Sequence, residues 1–430
     1  MRRASRPPNI RHATVPLALV LCAALLWPAS VPAAGVAWTA QFGTRYPDDA
    51  HGLSVDPAGN LYVVGQTSGE LPGQQAAGMI DGFVRRYDPA GREVWTRQFG
   101  SPERDLPKGV ALDDAGNVYV VGQTFGSLPG QSSAGGWDGF IRRYSPSGDE
   151  VWTRQFGGGG GESAASVRID HAGNAYVVGG TRAALPGQTN IGDYDAFITK
   201  FDANGNSVWV KQFGTKVEDY ALSVVLDPHD NPVMAGETSG LLAGAASAGG
   251  LDGFVRQYDP AGNVVWTRQF GSSMDDFAVG TTVGPAGDVY VVGTTFGTLP
   301  GQTSKGATDA FIVAVGGRNG GLWIHQFGTA GADDAEAVAF DATGQPFIAG
   351  RTGGPLHGGV SSGGTDAFLA ATGPTGDIVW VHQFGGAADD YAMALAIGPS
   401  GFYVAGGTIG ALPGQTTNGE RDAFVAKISS

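Results

Sequence analysis

Trp-x-x-Gln-Phe-Gly begins at Trp38, Trp95, Trp152, Trp209, Trp266, Trp323 and Trp380, and each step is 57 residues. A second marker, Asp-[Gly/Ala]-Phe followed by Val, Ile or Leu, begins at Asp81, Asp138, Asp195, Asp252, Asp309, Asp366 and Asp422. Its last step is 56, because one residue is missing after Gly401. A fixed period of this length means one supersecondary unit used repeatedly, each copy burying its apolar face against the next. Both markers count seven.

Each unit reads as four short strands. In the first, strand a is Gly52 to Val55, and Asp56-Pro57-Ala58-Gly59-Asn60 is a tight turn. Strand b, Leu61 to Val64, is β-branched and aromatic, as a pleated half-buried surface prefers. Strand c is Phe83 to Tyr87, and a second turn at Asp88-Pro89-Ala90-Gly91 leads to strand d, Val94 to Phe99. The 72 glycines and 24 prolines of the 430 residues thus serve turns rather than disorder, since 42% of the chain is apolar. At the glycine of the second turn one unit carries Asn319, the next-best residue for a left-handed backbone. No window after residue 34 has sustained helical spacing.

The spacing therefore predicts an all-β, seven-bladed β-propeller with four antiparallel strands per blade. A ring removes the exposed sheet edges that an open array would keep. Strand a should run nearest the axis, because its first position is always small: Gly52, Gly109, Ser166, Ser223, Gly280, Ala337 and Ala394. Its fourth position is always large, from Val55 to Ile397, and should pack between neighbouring sheets. The last unit, residues 386–430, lacks a strand d, and residues 36–43 form an unattached one. The ring is expected to close by pairing the first strand with the last, in a single domain spanning residues 35–430.

The pattern resembles the bacterial seven-bladed β-propeller repeat family, SBBP. The resemblance rests on Asp390-Tyr391-Ala392, on Asp56-x-x-Gly59-Asn60-x-Tyr62-Val63-x-Gly65-x-Thr67, and on Asp422-Ala423-Phe424-Val425-Ala426-Lys427. It implies the propeller fold and an exported setting, but no defined reaction. A departure follows Gly-x-Thr, where this chain repeats Leu-Pro-Gly-Gln at Leu71, Leu128, Leu185, Leu299 and Leu412. Asp88-x-x-Gly91-x-x-x-Trp95 is also similar to the tryptophan-docking repeat of quinoprotein dehydrogenases, which implies a lock between blades. The adjacent cysteines and the eight blades of those enzymes are missing here, so their cofactor is not expected.

Residues 1–34 read as a secretory signal peptide. Arg2, Arg3, Arg6 and Arg11 precede an apolar stretch from Val15 to Trp27, and Val31-Pro32-Ala33-Ala34 offers small residues for cleavage. The stretch is shorter than a bilayer span needs, and no later segment is apolar enough, so no membrane span is expected after cleavage. The protein should be secreted, periplasmic or on the cell surface of a bacterium, and monomeric. The single cysteine, Cys22, lies in this segment, which excludes disulfides and a thiol nucleophile elsewhere. A formal charge of −14 argues against nucleic acid as a partner.

Function should sit on the long b–c and d–a loops, which share one face of the disc. A ring of acids occupies the d–a loops: Asp48, Asp105, Glu162, Asp219, Asp276, Asp333 and Asp390. Such carboxylates could hold Ca²⁺, which takes six to eight oxygen ligands. The alternative is that each accepts backbone N–H bonds in its own loop; beyond Ca²⁺ no cofactor is expected. Departures from sevenfold symmetry carry more information. Immediately before the Asp-x-Phe aspartate stand Ile80, Trp137, Tyr194, Leu251, Thr308, Thr365 and Arg421. Trp137, Tyr194 and Arg421 are the candidate ligand contacts, with the two aromatics a platform for a sugar ring or an apolar side chain. His325 and His382 replace strand d Arg or Lys and are expected at a solvated outer edge. No catalytic constellation is visible. The expectation is a binding scaffold for a protein or an extracellular glycan. The rivals are a hydrolase or lyase acting at the channel mouth and a structural envelope protein.

Overall fold

The computed structural model describes residues 35–242, 248–316 and 321–429. The expected signal segment with Cys22, and the turn residue Asn319, lie outside the described residues. Within them the chain forms seven four-stranded antiparallel sheets, with strands in sequence order in six of them. In blade one, strand a is Asp48–Val55, b is Leu61–Thr67, c is Asp81–Tyr87 and d is Glu93–Phe99. The seventh sheet is the closure: Val36–Phe42 pairs antiparallel with Asp422–Ile428, placing Trp38 beside Lys427 and Phe42 beside Ala423. The predicted ring and its manner of closing are both present.

The turns form for local reasons. Asp56 accepts hydrogen bonds from the Asn60 amide at 2.8 Å and, through its own carbonyl, from the Gly59 amide at 2.9 Å. Gly59 then takes φ +84°, where a side chain would be strained. In blade four Asp230 occupies the equivalent place at φ 60°, and Asp is among the residues that tolerate it.

Strand a differs from expectation. It begins four residues earlier, at Asp48, and every blade bulges within it, in blade one between Ala50 and Gly52. The first half, Asp48-Asp49-Ala50-His51, has none of the β-branched residues that signal a strand, so the sequence concealed it. The bulge leaves one residue per blade unpaired with strand b and re-aims its side chain. These bulge residues are His51, Lys108, Ala165, Leu222, Val279, Glu336 and Met393.

Between neighbouring sheets lie continuous apolar cores. Tyr62, Val64 and Val84 of blade one pack with Val110, Val118, Val120 and Phe140 of blade two. The Asp-x-Phe phenylalanines, Phe83 through Phe424, are fully buried, each worth about 1.5–3 kcal/mol of transfer free energy. They meet strand d phenylalanines edge-on, as Phe42 meets Phe83 at 5.5 Å and Phe99 meets Phe140 at 5.9 Å. Tryptophan supplies the lock between blades. Trp95 lies over Gly148 in the next blade's c–d turn, where a Cβ would stand 2.8 Å from the indole, and its Nε1 donates to the Pro146 carbonyl at 3.3 Å. Trp152 repeats this on Gly205 and Ala203. Near the axis crowding is real: a Cβ on Gly52 would stand 3.0 Å from the Lys108 carbonyl of the next blade.

Candidate functional site

The long-loop face is built from the two repeated motifs. Strand d glutamine organises the b–c loop: Gln98 Nε2 donates to Asp81 Oδ2 at 2.7 Å and to the Gly69 carbonyl at 2.8 Å. Its Oε1 accepts from the Leu71 amide at 2.9 Å. Asp81 in turn accepts from the Ala77 and Gly78 amides. Gln41 does the same across the closure, donating to Gly410 and Asp422 and accepting from Leu412. The repeated Leu-Pro-Gly-Gln supplies the leucine that is buried beneath this loop.

Each member of the acid ring is buried and bonded within its own d–a loop. Thr44 donates its amide to Asp48 Oδ2 at 2.5 Å, and Ser101, Thr215, Ser272 and Gly386 donate likewise to Asp105, Asp219, Asp276 and Asp390. Gly158 donates to Glu162, and Thr329 to Asp333. Beside each stands the Asp-x-Phe aspartate of the preceding sheet: a Cβ on Gly43 would lie 2.6 Å from Asp422 Oδ1 and 2.7 Å from Asp48 Oδ2. Burial pushes all seven ring acids above the ordinary carboxylate range, hydrogen bonds oppose it, and the neighbouring aspartate adds to it. Among the described residues no group of three or more His, Asp, Glu or Cys is placed to hold a metal ion.

The three candidate ligand contacts are not brought together. Trp137, in blade two, is half-buried and meets Phe125 edge-on at 5.4 Å. Tyr194, in blade three, meets Tyr220 at 5.9 Å, and the Arg182 guanidinium lies 4.3 Å over its ring. Arg421, in blade seven, is ion-paired with buried Asp49 of blade one at 2.6 Å. Phe125 was not singled out from the sequence, yet it is the exposed partner of the pair, 48% open. His325 and His382 are half-buried rather than solvated. His382 stacks between Trp380 and Phe384, so strand d's outer edge is a ring-lined surface. Burial lowers the pKa of both histidines.

Inside the ring the symmetry disappears. At the mouth, Asp49 also accepts from the Tyr391 hydroxyl at 2.6 Å, and Thr294 donates to Asp334 at 2.9 Å while Arg351 ion-pairs with it. Glu237 is pushed up to about 7 by burial, with Glu218 and Asp275 adding to the shift. Deeper lies a cavity of about 500 Å³ lined by all seven strands a, including His51, Lys108, Arg168 and Glu336. Burial pushes Glu336 up to about 7 and lowers His51, Lys108 and Arg168. Sequence reasoning passed over these four. The available signal was the bulge column itself, seven different residues at a fixed place in an otherwise repetitive strand.

The profile of the family described as Beta-propeller repeat, SBBP, matches residues 37–72 and 94–129, and the chain carries repeats of that type. Over 402 residues the chain is 25% identical to the regulatory protein FlaEY of Caulobacter vibrioides, covering 86% of this chain and 38% of that one. Over 171 residues it is 26% identical to an uncharacterized WD repeat-containing protein of Acanthamoeba polyphaga mimivirus, covering 33% and 12%. The chain thus spans well under half the length of these curated relatives. Among solved structures, polysaccharide lyase Uly1 superposes with a TM-score of 0.50 at 12% identity, covering 88% of this chain and 90% of that one. That is a likeness of fold.

Proposed function

We propose that this chain is an exported binding scaffold whose long-loop face takes a protein or an extracellular glycan. The observation that carries the reading is the Phe125–Trp137 pair, an aromatic corner open to solvent on a face otherwise held rigid by buried hydrogen bonds. Phe296 is 47% exposed at the equivalent place in blade five, and Met79, Ile191 and Met274 also stand exposed on this face. Apolar groups on pre-ordered loops bind without the entropic cost of ordering them, and aromatic rings suit the apolar face of a sugar as well as an apolar side chain. The short turns of the opposite face are Asp-, Gly- and Asn-rich and close on their own hydrogen bonds. In this reading the protein is monomeric, sits in the periplasm or at the cell surface, and needs no cofactor. Among the described residues no helix is long and apolar enough to cross a membrane.

A second reading, a hydrolase or lyase at the channel mouth, is favoured by Glu237, whose carboxyl is pushed up to about 7, the range a general acid or base needs at neutral pH. One experiment addresses both. The mature chain and a Phe125→Ser/Trp137→Ser variant are applied to an array of bacterial surface and plant polysaccharide fragments, with chain scission followed by mass. Binding lost in the variant with no scission supports the scaffold. Scission abolished by Glu237→Gln replaces it with the enzyme, and binding that survives the double substitution moves the contact off this corner.

A further inference from the structure

Two cations line the lumen, Lys108 from the bulge column and Arg168 from further along strand a, in spaces that also hold Glu336 on one side and Asp56, Asp113 and Asp114 toward the short turns. Lys108 projects from the bulge of blade two, and among the described residues it has no hydrogen-bond or ion-pair partner within the protein. Arg168, two residues beyond the small first position of blade three, donates from Nη1 to the Val167 carbonyl at 2.9 Å. It lines both the upper cavity of about 500 Å³ and a second of about 710 Å³ toward the short turns. The two spaces also share Leu53, Val110 and Leu395, so apolar side chains stand beside Arg168 in an otherwise mixed wall. Loss of bulk water around them in the lumen lowers the pKa of both cations. Lys108 stands exposed to the lumen and Arg168 half-buried, so both are accessible to a dissolved anion.

We propose that the lumen binds a small carboxylate-bearing molecule between the Lys108 ammonium and the Arg168 guanidinium. The volume suits a monosaccharide-sized ligand. The planar fork of arginine matches a carboxylate bidentately, and the ammonium adds a point charge. The apolar side chains beside Arg168 accept a carbon skeleton. A chain of net charge −14 repels anions in general, so anion binding in the lumen depends on these two cations. The lumen's charge also depends on pH. Glu336 faces Asp334 and Arg351, and His51 faces Asp49, Gln66, Lys108 and Arg421. On acidification from pH 8 to 6 Glu336 loses its negative charge, while burial holds His51 back from gaining a positive one. Anion binding therefore tightens as pH falls. This site is separate from the long-loop face, and neither proposal depends on the other.

The test is calorimetric titration of the full mature chain at low salt with glucuronate, and separately with inorganic phosphate. Binding of glucuronate that weakens at least about tenfold in Lys108→Met and in Arg168→Met, and strengthens from pH 8 to 6, is the expected result. Tighter binding of phosphate than of glucuronate reassigns the ligand class. No heat with either probe at 10 mM, or binding unchanged in both variants, overturns the proposal. Should a variant fail to fold, melting of the wild-type chain decides: glucuronate raises its melting temperature and chloride at equal ionic strength does not, whereas equal shifts overturn the site.

Discussion

The same seven blades carry two regions that obey opposite rules. In the outer wall, Trp, Gln, Phe and the paired aspartates recur at every period, and in every blade the glutamine donates to the Asp-x-Phe aspartate. In the lumen, three positions beyond the ring acid on the same strand a, seven blades present His51, Lys108, Ala165, Leu222, Val279, Glu336 and Met393. The wall's interactions are internal to a blade or to a pair of blades, so a sequence that solves them once solves them seven times. The lumen faces a shared space where identical residues would crowd one charge or one shape seven times over. Repetition therefore marks what holds the ring, and its failure marks surfaces that the ring does not need to keep alike.

Removing residues 36–42 attacks the wall at its most consequential point. It strips a strand from blade seven, exposes the edge of Asp422–Ile428 and takes Trp38, Gln41 and Phe42 with it. Melting followed by circular dichroism should fall by more than about 10 °C, with aggregation, because an open apolar edge pairs with other chains. An unchanged melt would mean that blade seven stands on three strands and that closure contributes nothing. Next in size, Gln98→Ala leaves Asp81, Gly69 and Leu71 without their partner and should cost about 3 kcal/mol in urea unfolding, as lost bonds to a charged group and newly orphaned polar atoms imply. Val279→Ser, in the lumen, should cost under about 1 kcal/mol, because its side chain faces the open cavity. Equal costs would erase the distinction between the two regions.

A subtler contrast is in pH. Glu237 and Glu336 are both pushed up to about 7 from an ordinary 4.5, so the folded protein holds their protons more tightly than the unfolded chain does. Their contribution favours the folded state when they are protonated and is lost as pH rises from about 4.5 to about 7. The double variant Glu237→Gln/Glu336→Gln should thus gain stability relative to wild type across that window, by on the order of 1–2 kcal/mol per residue after allowing for water in the lumen. Buried His51 works in the opposite sense, losing stability as pH falls below 6.5. Comparison of the variant with wild type at each pH cancels that background. Parallel stability curves would show that both carboxyls titrate normally.

How much of this could be read beforehand follows from the same division. Blade count, strand order and closure were legible because Trp38 and Asp422 belong to series whose members must match. The lock of Trp95 on Gly148 was legible as a motif. The start of strand a was not, since Asp48 to His51 are chosen for loop bonds and the lumen rather than for strand propensity. Trp137 and Tyr194 were visible as departures, but their partners were not: Phe125 comes from the start of the same loop and Tyr220 from the next blade. Arg421 looked free because its partner, Asp49, is 372 residues away in sequence and adjacent only once the ring closes. Lys108 was legible only as one of seven unlike residues in the bulge column, and Arg168, outside that column, had no such signal.

The smallest expected effect tests whether the acid ring belongs wholly to the wall. Each ring carboxylate already accepts an amide from its own loop, and Asp48, Asp219 and Asp333 also accept a threonine hydroxyl. Calcium needs six to eight oxygens around one point, whereas these acids are distributed one per blade with their lone pairs partly committed. What stands against this is the Oδ1 of the facing Asp252, Asp309, Asp366 and Asp422, which has no hydrogen-bond partner among the described residues, whereas the ring acids also take a strand b threonine hydroxyl. Two carboxylates facing one another across a glycine could share a proton, as the raised proton affinity of the ring member implies, or a cation. The proton is the cheaper solution, because it needs no further ligands. Melting curves in 5 mM calcium and in chelator should therefore overlay at pH 6. A calcium-dependent rise of several degrees would place cations between the pairs, and the acids would move from the wall to the side of the molecule that selects a ligand.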